Sequence, residues 1–448
     1  MQRTLRGGLW IFAGFGWGHA VRFASNLLLT RLLVPDMFGL MAIANIVMAG
    51  LNMFSDLGLQ AVIVRSKRGN DPAFLNTVWT VQITRGLLLW LIAIGVCFVL
   101  FVVRRIGMVS MGSVYADPRL PYIVAGVSFS LAISAFNSTK LYQAYRRIAL
   151  GRVTLIELTA QFAGLICTLS WVIIDRTVWA LVAGNICATL VSTLLSHILL
   201  AGTANHWHWE KSAFQEISHF GKWIFISSIL YFLASNSDRL ILGGLVSSTV
   251  LGVSMIAYML GGTIQSIVMR TITGVLYPVL SEIVRERPHA LKANYYRMHT
   301  IVSAFSYFCS GCLMVSGRAL IGLLYDQRYI DAGWMLEILA VAVMTYPAQI
   351  AIQSFTALGM PNLQSHILSA RLIALISTVP LGFYFFGLPG ALWGSVFSQF
   401  LGIPITIYYS ARHGFFGLRE ELLPLPMVLV GGATGKLLTV IIAGHYGF

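Results

Sequence analysis

The sequence predicts an all-α fold: a polytopic transmembrane helical bundle of about thirteen spans (12–14), with two pseudo-repeated lobes around a central cavity. Three observations carry this. Hydrophobic residues make up 57% of the 448 and charged residues only 10%, where a soluble domain carries roughly 25% charge. Apolar stretches of about 20 residues, the length that crosses a bilayer as a helix, recur along the chain. Lys and Arg alternate between the connecting loops, as expected when basic loops stay on the cytoplasmic side.

Taken in order, Met1 to Gly8 is a short basic lead. The apolar span after it has no small-residue cleavage site, so it is expected to stay in the membrane. The spans run at roughly 9–30, 38–63, 80–103, 120–142, 153–174, 177–200, 221–245, 249–275, 298–324, 333–358, 364–386, 389–410 and 423–445. The largest inner connection, about 201–220, carries the run His206-Trp207-His208-Trp209-Glu210 and is expected at headgroup level. It divides an N-terminal transmembrane lobe, 1–205, from a C-terminal one, 206–410. Residues 411–448 form an additional membrane segment.

Placing the N-terminus inside gives the inner loops a clear excess of basic residues. Arg146, Arg147 and Arg152 lie in one, and Arg285, Arg287, Lys292 and Arg297 in another. The outer loops keep Arg31, Arg104, Arg105, Arg119, Arg176, Arg318 and Arg328. The net charge of +14 therefore reads as topology and contact with anionic lipid headgroups, with no nucleic-acid partner.

A weak internal repeat supports two lobes. At an offset of 213, Leu27, Leu29, Leu32, Gly39, Ile43 and Ala44 meet Leu240, Leu242, Leu245, Gly252, Ile256 and Ala257. Both copies cover the end of one helix, a short turn and the start of the next. Six spans separate them, so the copies share one orientation, as in transporters built from parallel repeats.

Charges inside spans are costly, at least about 2.5–3.5 kcal/mol near the bilayer centre, so they should face a cavity or a partner. On span one, Gly18, His19, Arg22, Ser25 and Asn26 share a helix face. It is either the cationic wall of a cavity or a packing face with one satisfied Arg. On span seven, Ser228, Tyr231, Ser235 and Asp238 line up with Arg239 beside them, and the adjacent Asp and Arg can act on a ligand or neutralise each other. On span two, Asn45, Asn52 and Asp56 fall together. Asp56 is either a coupling site for a proton or cation or a partner of Arg85 or Arg270. Arg85, Arg270 and Arg371 map to the inner half, where snorkelling to headgroups is the competing reading. Basic groups outnumber acids at depth, which suits an anionic substrate, because Arg grips phosphate through paired hydrogen bonds.

Other signals carry no chemistry. The GGATGK run at 431–436 is one residue short of a phosphate-binding loop and Leu437 stands where Ser or Thr is required. Cys97, Cys167, Cys187, Cys309 and Cys312 are scattered through apolar stretches and form no disulfide framework or metal site. No cofactor and no nucleophile–base constellation is visible.

The segments RLLVPDMFGLMAIANI at 31–46, FSDLGLQAVIVR at 54–65, LNTVWTVQ at 75–82, SNSDRLILGGLVSSTVLGVSMIAYML at 235–260 and LYPVLSEI at 276–283 resemble, in order and spacing, the Wzx-type oligosaccharide flippases. These belong to the multidrug/oligosaccharidyl-lipid/polysaccharide (MOP) exporter superfamily. The C-terminal third resembles the family in hydropathy and rhythm. The resemblance implies a non-enzymatic flippase of the bacterial inner membrane with a cytoplasmic N-terminus. Its substrate would be an undecaprenyl-diphosphate-linked oligosaccharide for exopolysaccharide or O-antigen biosynthesis. A polysaccharide polymerase and export machinery are the expected protein partners. Arg22, Arg239, Arg270, Ser25 and Asn26 are then the expected substrate-binding residues and Asp56 and Asp238 the coupling residues. Two other readings stand beside it: an ion-coupled drug or metabolite exporter of the same superfamily, and a membrane glycosyltransferase or polymerase. The short outer loops weigh against the last.

Overall fold

In the computed structural model the backbone is described for residues 2–54, 58–147, 149–414 and 416–446, and the side chains for these except 2–15, 19, 65, 150, 219–227, 288, 361 and 445–446. Every regular element among them is helical. The helices are α1 (Gln2–Leu32), α2 (Pro35–Met53), α3 (Leu59–Arg65), α4 (Pro72–Arg105), α5 (Leu120–Ala135), α6 (Lys140–Arg146), α7 (Leu150–Ile174), α8 (Trp179–Ile198) and α9 (Lys211–Leu245). They continue as α10 (Ser248–Thr271), α11 (Tyr277–Glu286), α12 (Leu291–Leu324), α13 (Ala332–Val341), α14 (Ala348–Ala357), α15 (Pro361–Phe400), α16 (Gly402–Arg412), α17 (Leu418–Leu422) and α18 (Pro426–Tyr446). Two compact units, Met1–Phe232 and Leu233–Phe448, divide the chain.

Helix starts follow local chemistry. Asp71 caps α4 by accepting from the Ala73 N–H, with Pro72 in the first turn, where a missing N–H costs nothing. Ser247 accepts from Val250 N at the start of α10. The repeat inferred from the sequence is visible in the helix bounds. The α1–α2 turn lies between Leu32 and Pro35 and the α9–α10 turn between Leu245 and Ser248, and both ends obey the offset of 213.

Several helices are broken inside apolar territory, where a bare peptide group costs several kcal/mol. In the first unit α5 and α6 are bent by 68°. Gln82 on α4 donates to the carbonyls of Ala135 and Asn137 at 2.8 and 2.9 Å, and Tyr142 donates to Gln82 at 3.0 Å. Gly58, with φ 61°, makes the left-handed turn into α3. Arg146 on α6 closes the other end of α3 by donating to the carbonyls of Ile63 and Ser66, a cation placed at a helix C-terminus. In the second unit a π-turn, Ile272–Leu276, joins α10 to α11. Pro278 explains it: the ring has no N–H for the Gly274 carbonyl and crowds it.

By length and hydropathy, nine helices among the described residues can cross a membrane, ten if the bent α5–α6 pair is one span. The sequence predicted about thirteen. The nine omit α1 and α9, and they count residues 362–412 once. That stretch is folded back at Gly387 (φ 65°, ψ −150°). Thr378 donates to the Gly394 carbonyl at 2.8 Å, so the two arms run antiparallel in contact, at the sequence-predicted division between 386 and 389.

α18 runs along α12. A Cβ on Gly435 would lie 2.5 Å from the Cys312 carbonyl oxygen, and one on Gly431 would meet the Phe308 carbonyl even more closely. The glycines of the GGATGK run are therefore a small-residue helix seam. Gly435→Ala is expected to cost about 1–3 kcal/mol through overpacking, read as a lower Tm of the purified protein in detergent. Gly444→Ala, where a Cβ meets nothing within 4 Å, should leave Tm unchanged.

Candidate functional site: charged groups inside the spans

The best-defined cluster lies in the second unit, about two turns before the end of α9. Asp238 is only 8% exposed. One carboxylate oxygen accepts from the Arg239 backbone N–H at 2.9 Å and the other from Ser395 at 3.3 Å. The Arg239 guanidinium turns to the face of Tyr258 on α10, 4.7 Å from the ring centroid. Its Nε is buried without a hydrogen-bond acceptor. Asp238 and Arg239 thus do not neutralise each other through an ion pair. The acid is occupied by a backbone N–H and a hydroxyl, and the cation rests on an aromatic face that leaves its edge donors available. The Tyr258 hydroxyl is buried, close enough to Asp238 and Ser395 to feel both but outside hydrogen-bond geometry.

Arg371, for which snorkelling is the competing sequence reading, belongs near this group. Its stem crosses the break between α15 and α16, where Gly402 has no Cβ and an added one would lie 3.1 Å from the Arg371 Cδ. Tyr346, 8% exposed, lies within electrostatic reach of both Arg371 and Arg239. Tyr258, Tyr346 and Ser395 belong to no charge pattern, so no sequence signal marks them. Arg270 sits half-buried in the last turn of α10, beside the π-turn. It is twelve residues beyond Tyr258 and so about 18 Å along the helix. The structure does not bring it to Arg239.

In the first unit Arg22 is exposed on α1. Ser25 donates to its own helix, to the Val21 carbonyl at 2.6 Å, and Asn26 is half-buried. Gly18, on the same predicted face, packs near Leu158 and Gln161 of α7, and Gln161 donates to its carbonyl at 3.3 Å. The face is therefore mixed: helix contact at Gly18 and an open arginine one turn on. Asp56 lies outside the described residues. Arg85 donates to the Asn52 carbonyl at 2.8 Å and lines a cavity of about 460 Å³ with Gln60 and Tyr142. Among the described residues no group of three His, Cys, Asp or Glu is placed to hold a metal ion.

The segment before α9 is extended. The N–H groups of His206, His208 and Glu210 donate in turn to Asn76, Thr80 and Thr77 on α4. Alternate residues point the same way in an extended chain, which leaves Trp207 and Trp209 outward at 65% and 54% exposure. Arg68 clamps this segment by donating to Glu210 and Asp71 at 2.7 and 2.6 Å.

The family described as polysaccharide biosynthesis protein matches residues 28–333, more than half of the chain. The chain belongs to that family. Among curated proteins it is 20% identical over 351 residues to the lipopolysaccharide biosynthesis protein WzxC of Escherichia coli K12, covering 76% of this chain and 67% of that one. It is 21% identical over 325 residues to an uncharacterized membrane protein in the cps region of Klebsiella pneumoniae, covering 71% and 64%. The chain thus spans about two thirds of the length of each. Among solved structures, its fold matches the lipid II flippase MurJ in an inward closed conformation, with TM-score 0.71, 10% identity and 98% coverage of both chains. It also matches a multidrug resistance MATE transporter of the MOP superfamily, with TM-score 0.62, 13% identity and 96% coverage of both. This polysaccharide biosynthesis protein is thus a multi-pass membrane protein with the MOP superfamily fold.

The Arg68 hydrogen bond holds the Glu210 carboxyl well down, at about 2, and holds Asp71 below the usual carboxylate range as well. A depressed value means the clamp is fully present above about 4.3, the ordinary Glu value, and is lost as pH falls toward 2. Amide exchange at 206–210 should therefore be protected equally from about pH 5 to 8. Glu210→Gln should speed it across that whole range, as read by hydrogen–deuterium exchange.

Proposed function

We propose that the chain is a flippase that moves an undecaprenyl-diphosphate-linked oligosaccharide from the cytoplasmic to the periplasmic leaflet of a bacterial inner membrane, with its N-terminus in the cytoplasm. Family membership supports this, as does a relative named for lipopolysaccharide biosynthesis. The observation that carries it is Arg239: a guanidinium inside a span, set on Tyr258 and not consumed by the carboxylate beside it. A cation held that way is suited to a diphosphate or an acidic sugar, whose oxygens match its fork of donors.

In this reading the lobes are 1–205 and 206–410, with 411–448 added, and they alternate in access. Arg22, Arg239 and Arg270 engage the diphosphate and sugar, with Ser25 and Asn26 supplying neutral hydrogen bonds. Asp56 or Asp238 couples the cycle to an ion. The polar headgroup crosses between the lobes while the polyprenyl tail stays in lipid, and the product passes to a polysaccharide polymerase and export machinery. No step makes or breaks a covalent bond.

Joint substitution of Arg22, Arg239 and Arg270 by Gln is expected to cut flipping of a fluorescent polyprenyl-diphosphate oligosaccharide in proteoliposomes at least about tenfold, since each charge-assisted hydrogen bond contributes roughly 1.5–3 kcal/mol. Unchanged flipping would overturn the assignment. Efflux of a cationic drug that depends on Asp238 and not on the arginines would favour the exporter. Tyr258→Phe keeps the ring under Arg239 and should retain activity, whereas Tyr258→Leu should lose a few-fold.

A further inference from the structure

A link between two spans ordinarily carries charged or small polar residues out into water. The fold of α15 at Gly387 carries none: residues 372–411 contain no Asp, Glu, Lys, Arg or His. Apart from Gly387 the residues of 361–400 are helical, so one residue makes the turn. At its tip Tyr384, Phe385 and Phe386 are 81%, 68% and 75% exposed. Their rings touch in series, with centroids 5.2 Å apart for Tyr384 and Phe385 and 6.4 Å apart for Phe385 and Phe386. Behind them the two arms close tightly. A Cβ on Gly382 would meet the Gly390 carbonyl oxygen, and one on Gly390 would meet that of Gly382.

We propose that the tip at 384–387 is a lipid anchor, an aromatic turn seated in the headgroup–acyl boundary of one leaflet. Three covers could shield such a patch from water, and each makes its own demand. A saccharide needs hydrogen-bonding side chains, and between 379 and 392 Tyr384 alone has a polar side chain. A protein needs area. At about 200 Å² per ring the three exposed rings present roughly 450 Å², short of the roughly 800 Å² that each partner of a stable complex contributes. Lipid needs only continuity with apolar surface. Leu381 and Trp393 beside the tip, and Phe397 further along, are exposed too, on a stretch apolar enough to cross a membrane.

The level in the bilayer follows from the backbone. At the hydrocarbon centre, the last carbonyls of one arm and the first N–H groups of the other would be bare. Pro389 removes one of those N–H groups, and water and headgroups at the boundary reach the rest. The boundary thus suits both parts, rings toward the acyl chains and peptide groups toward the headgroups. Anchoring there also sets the depth of Arg371. It lies fifteen residues before Phe386 on the same arm, roughly 22 Å down a hydrocarbon layer about 30 Å thick.

The inference rests on membrane residence alone and is independent of what the protein carries. Its first test uses the full wild-type chain in phosphatidylcholine nanodiscs doped with a phospholipid that bears a diazirine near its glycerol. After photolysis, mass spectrometry is expected to find adducts on 383–388 at least about fivefold denser than on 66–70, a loop whose Lys67 and Asn70 are exposed. The second test is thiol access in proteoliposomes, with the unsubstituted chain as background. Phe386→Cys should react with a membrane-impermeant maleimide at least about tenfold slower than Lys67→Cys, each measured from the side that reaches it, and equally fast once the chain is unfolded in SDS. Adducts on 383–388 no denser than on 66–70, or equal reaction of Phe386→Cys and Lys67→Cys in the folded chain, would overturn the proposal: the tip would then stand in water, open to a protein partner.

Discussion

A peptide group cannot be left bare in lipid, and this constraint organises the described structure. Unbroken helices satisfy it by themselves. The chain breaks helices at Gly58, between α5 and α6, after Thr271 and at Gly387, and each break frees groups that need partners. Those partners are specific. Gln82 takes the carbonyls at the end of α5, Arg146 takes those at the end of α3, and Thr378 takes the carbonyl of Gly394. Arg146 shows why a basic residue count alone misleads. Charge statistics place it in an inner loop as a topology signal, and its guanidinium is also what makes the α3 terminus tolerable.

The helical class and the repeat of the α1–α2 turn at α9–α10 were legible because hydropathy and length are one-dimensional. The break near 387 was legible for the same reason, as a dip between two apolar runs. The sites of polar pairing were not. Ser395 meets Asp238 across 157 residues, Tyr258 approaches it from the next helix, and no periodicity links them. Gly402 makes room for the Arg371 stem, a fact that belongs to backbone approach and leaves no trace in composition. The run at 431–436 is the opposite case. Its glycines looked like a nucleotide motif and turn out to be a helix contact, since two backbones approach closely only where side chains are absent.

Acids and bases inside the second unit are handled differently. Asp238 accepts from its neighbour's backbone N–H and from the Ser395 hydroxyl. Glu337 pairs with Arg318 at 3.3 Å near the ends of α12 and α13. Arg239 receives an aromatic face instead. A cation–π contact offsets part of the desolvation of a guanidinium without using its hydrogen-bond donors, which is the arrangement a binding group requires and a structural ion pair would defeat.

The repeat sharpens this point. Under the offset of 213, Ser25 and Asn26 correspond to Asp238 and Arg239, and Arg22 corresponds to Ser235. Each pair stands seven residues before the end of its own helix, at Leu32 and at Leu245. The duplicated backbone therefore sets a polar level in each unit, and the side chains have diverged upon it. One unit keeps neutral hydrogen-bonding groups there and carries its arginine one turn earlier. The other concentrates a carboxylate and a guanidinium at that level and supports them with Ser395 and Tyr258.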